Sequence, residues 1–232
     1  MTMNEKVAIV TAAGKGIGAA IASELASAGY RVSLLSNSGG AIQLAKELGG
    51  LGMTGSVSNL SDLSKLVEST MEKFGRIDAV VNNTGHPPKG NLLEISDEDW
   101  HTGLDMLILN VVRMTRLVTP IFVKQGGGAI VNISTFSAFE PELSFPVSSS
   151  LRSGLASFTK LYANSYAASG IRINNVLPGY MDNYPESPEN LAKIPMKRYA
   201  KVQEIAKTVR FLLSDDAGYI TGQNIRADGG IT

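Results

Sequence analysis

The chain has no cysteine, and only two of its 232 residues are histidine. The absence of cysteine excludes disulfides and thiolate metal sites, and it is typical of proteins in a reducing compartment. Acidic and basic residues number 21 each with no basic stripe, which argues against a nucleic-acid partner. Because no signal-peptide pattern and no run of about 18 apolar residues stands out, we expect no membrane span. The sequence therefore predicts a cytoplasmic protein.

The abundant residues predict a parallel α/β fold. Hydrophobic residues make up 44% of the chain, and 24 glycines supply tight turns. Apolar runs of strand length alternate with segments of helical periodicity, as in a parallel sheet covered on both faces. The predicted strands are 6–11, 31–35, 51–57, 77–82, 129–134, 171–177 and 223–227, and the predicted helices are 16–28, 39–48, 60–74, 96–124, 148–168 and 202–213. We expect one domain, 1–232, with Rossmann-type doubly wound topology and about seven strands.

A glycine-rich turn follows the first predicted strand. Residues 7–10 are apolar, residues 11–18 read Thr-Ala-Ala-Gly-Lys-Gly-Ile-Gly, and an alanine-rich helical segment comes next. Glycine lets the backbone approach a ligand closely, and the N–H groups and dipole of a helix N-terminus favour negative charge. This order of strand, turn and helix predicts a pyrophosphate site. The residues assigned to it are Thr11, Gly14, Lys15, Gly16, Ile17 and Gly18.

Several segments resemble signatures of the short-chain dehydrogenase/reductase family, in the family's order and spacing. They are the glycine turn, with Ala12 in place of the family's first glycine, the stretches 75–85, 128–134 and 171–179, and the C-terminal segments 219–223 and 228–230. The resemblance covers essentially the whole chain. It implies a bound nicotinamide dinucleotide, oxidoreductase activity on a small carbonyl or alcohol, and a homodimer or homotetramer.

At the positions where the resemblance places the family's catalytic residues, this sequence has other side chains. Reductases of the family use Asn, Ser, Tyr and Lys. Here the Asn position falls on Leu107, and the Ser position falls on Thr135, next to Ser134. The Tyr position is Ser148, and the Lys position, four residues later, is Arg152. The resemblance therefore implies an atypical member that lacks the catalytic Tyr and Lys.

These replacements change the acid–base chemistry that we expect. A tyrosine pKa of about 10 falls toward working pH beside a cation, whereas a serine hydroxyl is far less acidic. We predict that Ser148 orients a carbonyl and that Arg152 supplies charged donors to a ribose or to an anionic substrate. His86 is a candidate proton donor because its unperturbed pKa lies near neutrality, and the alternative is a loop histidine without a catalytic role. Tyr180 and Tyr184, in the loop predicted at 178–195 over the cofactor, are further candidates.

The choice of cofactor follows from charge at the end of the second predicted strand. NAD-binding proteins of this fold usually carry a carboxylate there for the adenosine ribose, but residues 35–38 read Leu-Ser-Asn-Ser. No carboxylate repels a 2′-phosphate, and Lys15 resembles the basic residue of NADP-binding members. We predict NADP(H), with NAD(H) as the alternative, and assign Ser36 and Asn37 to the adenosine end. The remaining predicted cofactor contacts are Ser56, Val57, Asn83, Gly85, Arg152, Pro178 and Gly179.

Three functions are compatible with these residues. The first is an oxidoreductase whose altered active site uses Ser134, Thr135 and Ser148 to polarise its substrate. The second is a catalytically silent nucleotide-binding protein that acts as a sensor or scaffold. The third is a lyase such as the halohydrin dehalogenases, but these relatives keep the Tyr and remodel the glycine turn, which is the reverse of this chain. We expect no metal, because the acidic residues 97–99 indicate a helix start.

Overall fold

A computed structural model describes residues 5–232. They form one seven-stranded sheet, all parallel, in the order β3-β2-β1-β4-β5-β6-β7. The strands are β1 (Val7–Thr11), β2 (Arg31–Ser36), β3 (Leu51–Thr54), β4 (Ala79–Asn82), β5 (Gly128–Ile133), β6 (Ile171–Pro178) and β7 (Asn224–Ala227). The chain leaves β1 toward one edge and returns to β4 on its other side. This reversal makes the carboxyl ends of β1 and β4 the place where doubly wound sheets bind ligands.

Helices cover the sheet and connect its strands. They are α1 (Gly16–Ser27), α2 (Gly40–Glu47), α3 (Leu60–Phe74), α4 (Asp97–Leu104), α5 (Asn110–Gln125), α6 (Pro146–Tyr166), α7 (Pro188–Lys193) and α8 (Val202–Leu213). Two clusters of buried apolar side chains separate the sheet from its helices, one under α1 and α8 and the other under α3, α5 and α6. The strands are buried on both faces because helices lie on each, as expected for a parallel sheet. The predicted doubly wound fold is therefore confirmed.

Local polar residues set the helix ends. Ser96 begins α4, since its hydroxyl accepts a hydrogen bond from the Asp99 N–H at 3.1 Å, and the acidic residues 97–99 occupy the first turn, where the helix dipole favours them. Asn59 caps α3 through its side-chain oxygen. Gly75 ends α3 with φ +74, a left-handed conformation that glycine adopts without strain. Among residues 5–232 no group of metal-ligating side chains is present.

The helical segment 97–125 is longer than an ordinary core helix. A π-helical turn, Asp105–Leu109, joins α4 to α5. By length and composition alone the segment passes as a membrane span, because an 18-residue window within it has a mean hydropathy of 1.6, although polar residues such as Arg113 and Arg116 interrupt its apolar residues. Three of its side chains, Met114, Val118 and Phe122, are fully buried against the sheet, and a core helix gives the same apolar signal.

Several predicted boundaries differ from the structure. β3 ends at Thr54 rather than at 57, β4 begins at Ala79 rather than at 77, and α6 begins two residues early at Pro146, whose fixed φ suits a first helical turn. The predicted irregular loop 178–195 contains the short helix α7, which Ser187 caps by accepting from the Asn190 N–H. A parallel bridge pairs Met181 in this loop with Ala200, which lies shortly before α8.

Candidate active site

A cavity of about 680 Å³ opens at the carboxyl ends of β1, β4, β5 and β6. Its walls come from the glycine turn, the turn after β4, the residues after β5, the first half of α6 and the loop after β6. The cavity therefore brings together segments that lie as far apart in sequence as Ala12 and Tyr199. It lies at the ligand-binding edge expected of this topology.

The glycine turn closes through backbone contacts that exclude side chains. A Cβ on Gly18 would lie 2.3 Å from the Ala12 carbonyl oxygen, and one on Gly14 would lie 2.9 Å from Ser36 Oγ. Gly16 has φ +58, and a Cβ there would meet only the Asn183 side chain, at 3.3 Å. Gly14 and Gly18 are thus required by packing, whereas Gly16 leaves space at the cavity wall.

The first residue of the turn is strained. Ala12 has φ +47, in the left-handed region that L residues avoid. The resemblance places a glycine at this position, and the backbone has the left-handed conformation that glycine adopts without strain. Because glycine adopts this conformation without strain, the stability of Ala12→Gly tests whether the turn has this shape.

The turn fits a bound pyrophosphate. No side chain caps the N-terminus of α1, so its first N–H groups have no partner from a capping residue. Lys15, the residue before the helix, lines the cavity together with Gly16 and Ile17. Free N–H groups, a helix dipole and a nearby ammonium are the donor set that a dinucleotide phosphate requires.

Two of the predicted cofactor residues have a structural role between strands. The Thr11 hydroxyl donates to the Asn83 carbonyl oxygen at 2.7 Å and accepts from the Asn83 N–H at 3.0 Å. The Asn83 side chain donates to the Ala12 carbonyl oxygen at 3.2 Å. These bonds hold the turn after β4 against the glycine turn, and of the pair only Asn83 lines the cavity.

The predicted adenosine end lies outside this cavity. Ser36 is buried, and its hydroxyl accepts from the Ala41 N–H at 3.1 Å and donates to the Ser38 carbonyl oxygen at 2.6 Å. Asn37 is exposed. Near the end of β3, the Asp62 carboxylate accepts from the Ser56 N–H at 2.9 Å. The hydroxyl of Ser36 thus stabilises the start of α2, and Asn37 is the side chain at the end of β2 that faces solvent.

The predicted catalytic residues meet on one wall. Ser134 and Thr135 follow β5, and Ser148 and Arg152 lie one turn apart on α6, which places them on the same helix face. All four line the cavity. Leu107, on which the sequence prediction placed the family's Asn position, is fully buried in the core.

Arg152 is a buried cation without a carboxylate. Its Nη1 donates to the Ile133 carbonyl oxygen, and its Nε is buried without any partner. Burial lowers the pKa of Arg152 to about 10, because a charge is less stable away from water. Nevertheless the guanidinium is protonated at neutral pH and gives this wall of the cavity a positive charge.

His86 and Tyr184 form a hydrogen-bonded pair at the cavity mouth. His86 Nε2 lies 2.5 Å from the Tyr184 hydroxyl, and the rings meet edge to face with centroids 5.2 Å apart. Burial lowers the pKa of His86, and the charges of Lys89 and Arg152 lower it further. The pair joins the turn after β4 to the loop after β6, and the burial and nearby positive charges that lower the pKa favour the neutral imidazole at pH 7.

The loop after β6 is held down by a second tyrosine. The Tyr180 hydroxyl donates to Glu142 at 3.1 Å, and the Tyr180 ring stacks on Tyr199 with centroids 5.5 Å apart. Lys193 pairs with the same Glu142 carboxylate at 3.3 Å. Burial and then the charge of Glu142 raise the pKa of Tyr180, so this phenol is a poor proton donor.

Most of the predicted site residues line the cavity, and others lie near it. Those that line it are Lys15, Gly16, Ile17, Asn83, Gly85, His86, Ser134, Thr135, Ser148, Arg152, Pro178 and Gly179, and those that do not are Thr11, Gly14, Gly18, Ser36, Asn37, Ser56 and Val57. The cavity is also lined by three residues that the sequence did not predict, Lys89, Phe145 and Tyr199. The only signal in the sequence for Lys89 is its position three residues after His86, beyond the Asn-Asn-Thr-Gly turn.

Comparisons with known proteins identify relatives along the whole chain. Residues 11–232 match the family described as enoyl-(acyl carrier protein) reductase. A 3-oxoacyl-[acyl-carrier-protein] reductase of Synechocystis sp. is 34% identical over 243 residues, covering 99% of this chain and 98% of the relative. Dehydrogenase/reductase SDR family member 4 of Caenorhabditis elegans is 34% identical over 246 residues, covering 97% and 95%.

A solved structure has the same fold along nearly the whole chain. The 3-ketoacyl-(acyl-carrier-protein) reductase of Brucella melitensis, complexed with NADH, superposes with a TM-score of 0.93 at 28% identity. The superposition covers 97% of this chain and 98% of the other. Two different reductions, of a carbon–carbon double bond and of an oxo group, appear among these names, so the similarity identifies the scaffold rather than the substrate.

Proposed function

Because the chain belongs to the short-chain dehydrogenase/reductase family, we propose that it is an NAD(P)(H)-dependent oxidoreductase acting on a small carbonyl or alcohol. The observation that carries this proposal is that one cavity joins the glycine turn to Ser134, Thr135, Ser148 and Arg152. The bound nicotinamide supplies or accepts the hydride. The side chains of this protein bind it, orient the substrate and move the proton.

The cofactor is held by three parts of the cavity wall. The N–H groups of α1 bind the pyrophosphate beside Lys15. Gly85 and the Pro178-Gly179 turn line the middle of the cavity, and a Cβ on Gly179 would lie 2.9 Å from the Asp228 backbone, so only glycine fits there. The Arg152 guanidinium donates to the ribose of the nicotinamide half, in place of the family's Lys.

The substrate oxygen is held by hydroxyls in this altered site. Ser148 and Thr135 donate to the carbonyl oxygen, and Ser134 lies beside them. A serine hydroxyl is too weak an acid to protonate the developing alkoxide as the family's tyrosine does. Ser148 is therefore assigned to orientation, and another group must supply the proton.

We assign that proton to His86, with Tyr184 as its hydrogen-bonded partner. The pair lines the cavity and reaches solvent at its mouth, so a proton lost to the substrate is replaced from water. For alcohol oxidation the neutral imidazole accepts a proton; for carbonyl reduction the imidazolium donates one. Because the pKa of His86 is lowered, oxidation should be favoured at pH 7 and reduction should speed up as the pH falls. His86→Gln should remove this pH dependence, and an unchanged profile would contradict the assignment.

We further propose that NADP(H) is preferred. Lys15 offers a positive charge, and the exposed Asn37 puts no carboxylate at the adenosine ribose. Lys15→Gln and Asn37→Asp should each weaken NADPH binding by about tenfold more than NADH binding, because the first removes a positive charge and the second adds a negative one beside the 2′-phosphate that only NADPH carries. Equal losses for both dinucleotides would refute the preference.

The second candidate is a catalytically silent dinucleotide-binding protein, which the absence of Tyr and Lys at positions 148 and 152 favours. The deciding experiment is to measure the melting temperature with NADPH, NADH and no ligand, together with hydride transfer against a panel of carbonyls. Binding with turnover supports the oxidoreductase, whereas binding without turnover supports the silent protein. The double variant Ser148→Tyr/Arg152→Lys should gain carbonyl reductase activity if these positions are correctly assigned.

We also propose a cytoplasmic homo-oligomer, either a dimer or a tetramer, assembled through α5 and α6. Val123 on α5 is 50% exposed and Leu161 on α6 is 66% exposed, which leaves apolar surface on both helices. Sedimentation equilibrium should give a multiple of 24.6 kDa, and Leu161→Glu should lower it. A monomer at micromolar concentration would refute the proposal.

A further inference from the structure

The charges around the cavity are all of one sign. Three cations, Lys15, Lys89 and Arg152, line it together with His86, and among residues 5–232 no carboxylate lines it. Glu142 lies behind Tyr180, where its charge is balanced by Lys193. Cofactor phosphates account for a positive charge at Lys15, on the glycine turn. The ribose contact proposed for Arg152 does not neutralise its charge, because a hydroxyl is uncharged, and Lys89 has no partner in the cofactor at all.

Arg152 and Lys89 both lack an anionic partner within the described part of the chain. The buried guanidinium has an Nε without any hydrogen-bond partner. The Lys89 ammonium is exposed and lies over the Phe145 ring, 4.8 Å from its centroid. A buried cation without an anion is costly, and ring contact directs the ammonium into the cavity, because Phe145 is part of its wall.

These cations surround the proposed proton donor. Both Lys89 and Arg152 lie close enough to His86 to lower its pKa, although one is in the turn after β4 and the other is on α6. The three side chains therefore converge on the substrate end of the cavity. An anion bound there would offset both charges.

We propose that the substrate is an oxo acid or the corresponding hydroxy acid, whose free carboxylate binds Lys89 in the field of Arg152. This inference rests on the proposed function, since it names the substrate class of that site. Lys89 is one exposed ammonium, and Nη1 of the buried Arg152 already donates to the Ile133 carbonyl oxygen, so the site offers one direct cationic contact, which matches the single charge of a carboxylate. The bound carboxylate also raises the pKa of His86, so that substrate binding itself prepares the imidazole to carry a proton.

The test compares each oxo acid with its uncharged amide of the same shape. The pairs are pyruvate and pyruvamide, acetoacetate and acetoacetamide, and levulinate and levulinamide. Binding is measured at equilibrium to the protein alone and to its NADP⁺ complex, in which an oxo compound cannot be reduced. The readout is the imidazole NMR signal of His86, assigned by its loss in His86→Gln, with the exposed His101 as internal reference.

We expect at least one acid to bind about tenfold or more tightly than its amide, the usual effect of one hydrogen bond to a charged group. The acid, and not the amide, should raise the pKa of His86. Lys89→Gln should abolish both effects. The matched variant Lys15→Gln should keep them while weakening NADP⁺ binding. Equal binding of acid and amide in all three pairs, or a preference that survives Lys89→Gln, would overturn the inference.

Different results would overturn the proposed substrate class and the proposed function. If NADP⁺ binds but no acid is preferred to its amide, the substrate class is wrong, while the dinucleotide site stands and turnover of uncharged carbonyls still tests the proposed function. If the acid preference depends on Lys89 but no dinucleotide binds, the carboxylate site stands and the proposed function falls.

Discussion

Replacing Arg152 with methionine should stabilise the dinucleotide-free protein while weakening its binding of NADPH. Methionine has a similar length and no charge, so it fills the same space on α6. The variant removes a buried cation whose charge no carboxylate balances among residues 5–232. A residue that lowers stability in the free protein and binds a ligand is expected at a functional site.

The magnitude follows from two opposing contributions. Burial lowers the pKa of Arg152 from 12.5 to about 10, and at about 1.4 kcal/mol per pKa unit the charged form is destabilised by ~3 kcal/mol. Against this, the variant loses the hydrogen bond from the charged Nη1 to the Ile133 carbonyl oxygen, which contributes about 2 kcal/mol. The free energy of unfolding should therefore rise by about 1 kcal/mol.

The assay is urea unfolding at pH 7 without ligand, followed by the shift in melting temperature on adding NADPH. A matched control is Arg172→Met. Arg172 is half-buried on β6, and its guanidinium donates to the carbonyl oxygens of Leu212 at 2.7 Å and Ser214 at 2.9 Å. Those acceptors belong to the end of α8, so the control should lose about 2–4 kcal/mol and keep its NADPH response.

The two arginines thus give opposite predictions from the same substitution. If Arg152→Met unfolds more easily than the parent protein by 1 kcal/mol or more, then the charge of Arg152 is already compensated within the fold. In that case the burial of Arg152 would support neither its contact with the cofactor ribose nor a positive charge in the cavity.

Three further predictions concern the turn and the cavity mouth. Ala12→Gly should raise the free energy of unfolding by about 0.5–1 kcal/mol in urea, because it relieves φ +47 at the expense of chain entropy; a loss of stability would contradict the left-handed turn. The native pKa of His86 lies below its unfolded value of about 6.5, so the native state binds fewer protons there and stability falls as the pH drops through this region; His86→Gln should show a smaller fall between pH 7 and pH 5.5. Lys89→Gln should raise the pKa of His86 in an NMR titration. An unchanged pKa would show that the charge of Lys89 lies too far from His86 to act on it.

The fold could be predicted from the sequence because its signals are local and repeated. Each strand is a run of apolar residues buried on both faces, and each long helix has a periodic apolar face. The π-turn at Asp105–Leu109 and the short helix α7 have no such signal. The first differs from an α-helix by one backbone hydrogen-bond step, and the second has six residues, too few to display a period.

Part of the candidate site could likewise be predicted from the sequence, and part could not. The glycine turn and the residues after β4 and β5 follow directly from strands, so their meeting at one sheet edge could be predicted. The partners of these residues could not, since a loop has no periodicity to orient its side chains. Tyr184 lies in the loop that the Met181–Ala200 bridge pairs with the segment before α8, and it contacts His86 from 98 residues further along the chain. Lys89 lines the cavity through its contact with Phe145, which precedes α6 and is distant in sequence.

The central claim is that this scaffold binds a nicotinamide dinucleotide although positions 148 and 152 carry serine and arginine. The most direct test is a fluorescence titration of NADPH into the parent protein and into Gly16→Ala, whose added Cβ meets only the Asn183 side chain and narrows the pyrophosphate site. Because alanine at φ +58 also strains the turn, the melting temperature of the ligand-free variant is measured alongside to show that it is folded. We predict saturable binding to the parent protein and binding at least tenfold weaker to the variant, since the phosphate loses close backbone contact. No saturation by NADPH or NADH at millimolar concentration, or equal binding by both proteins, would contradict the account.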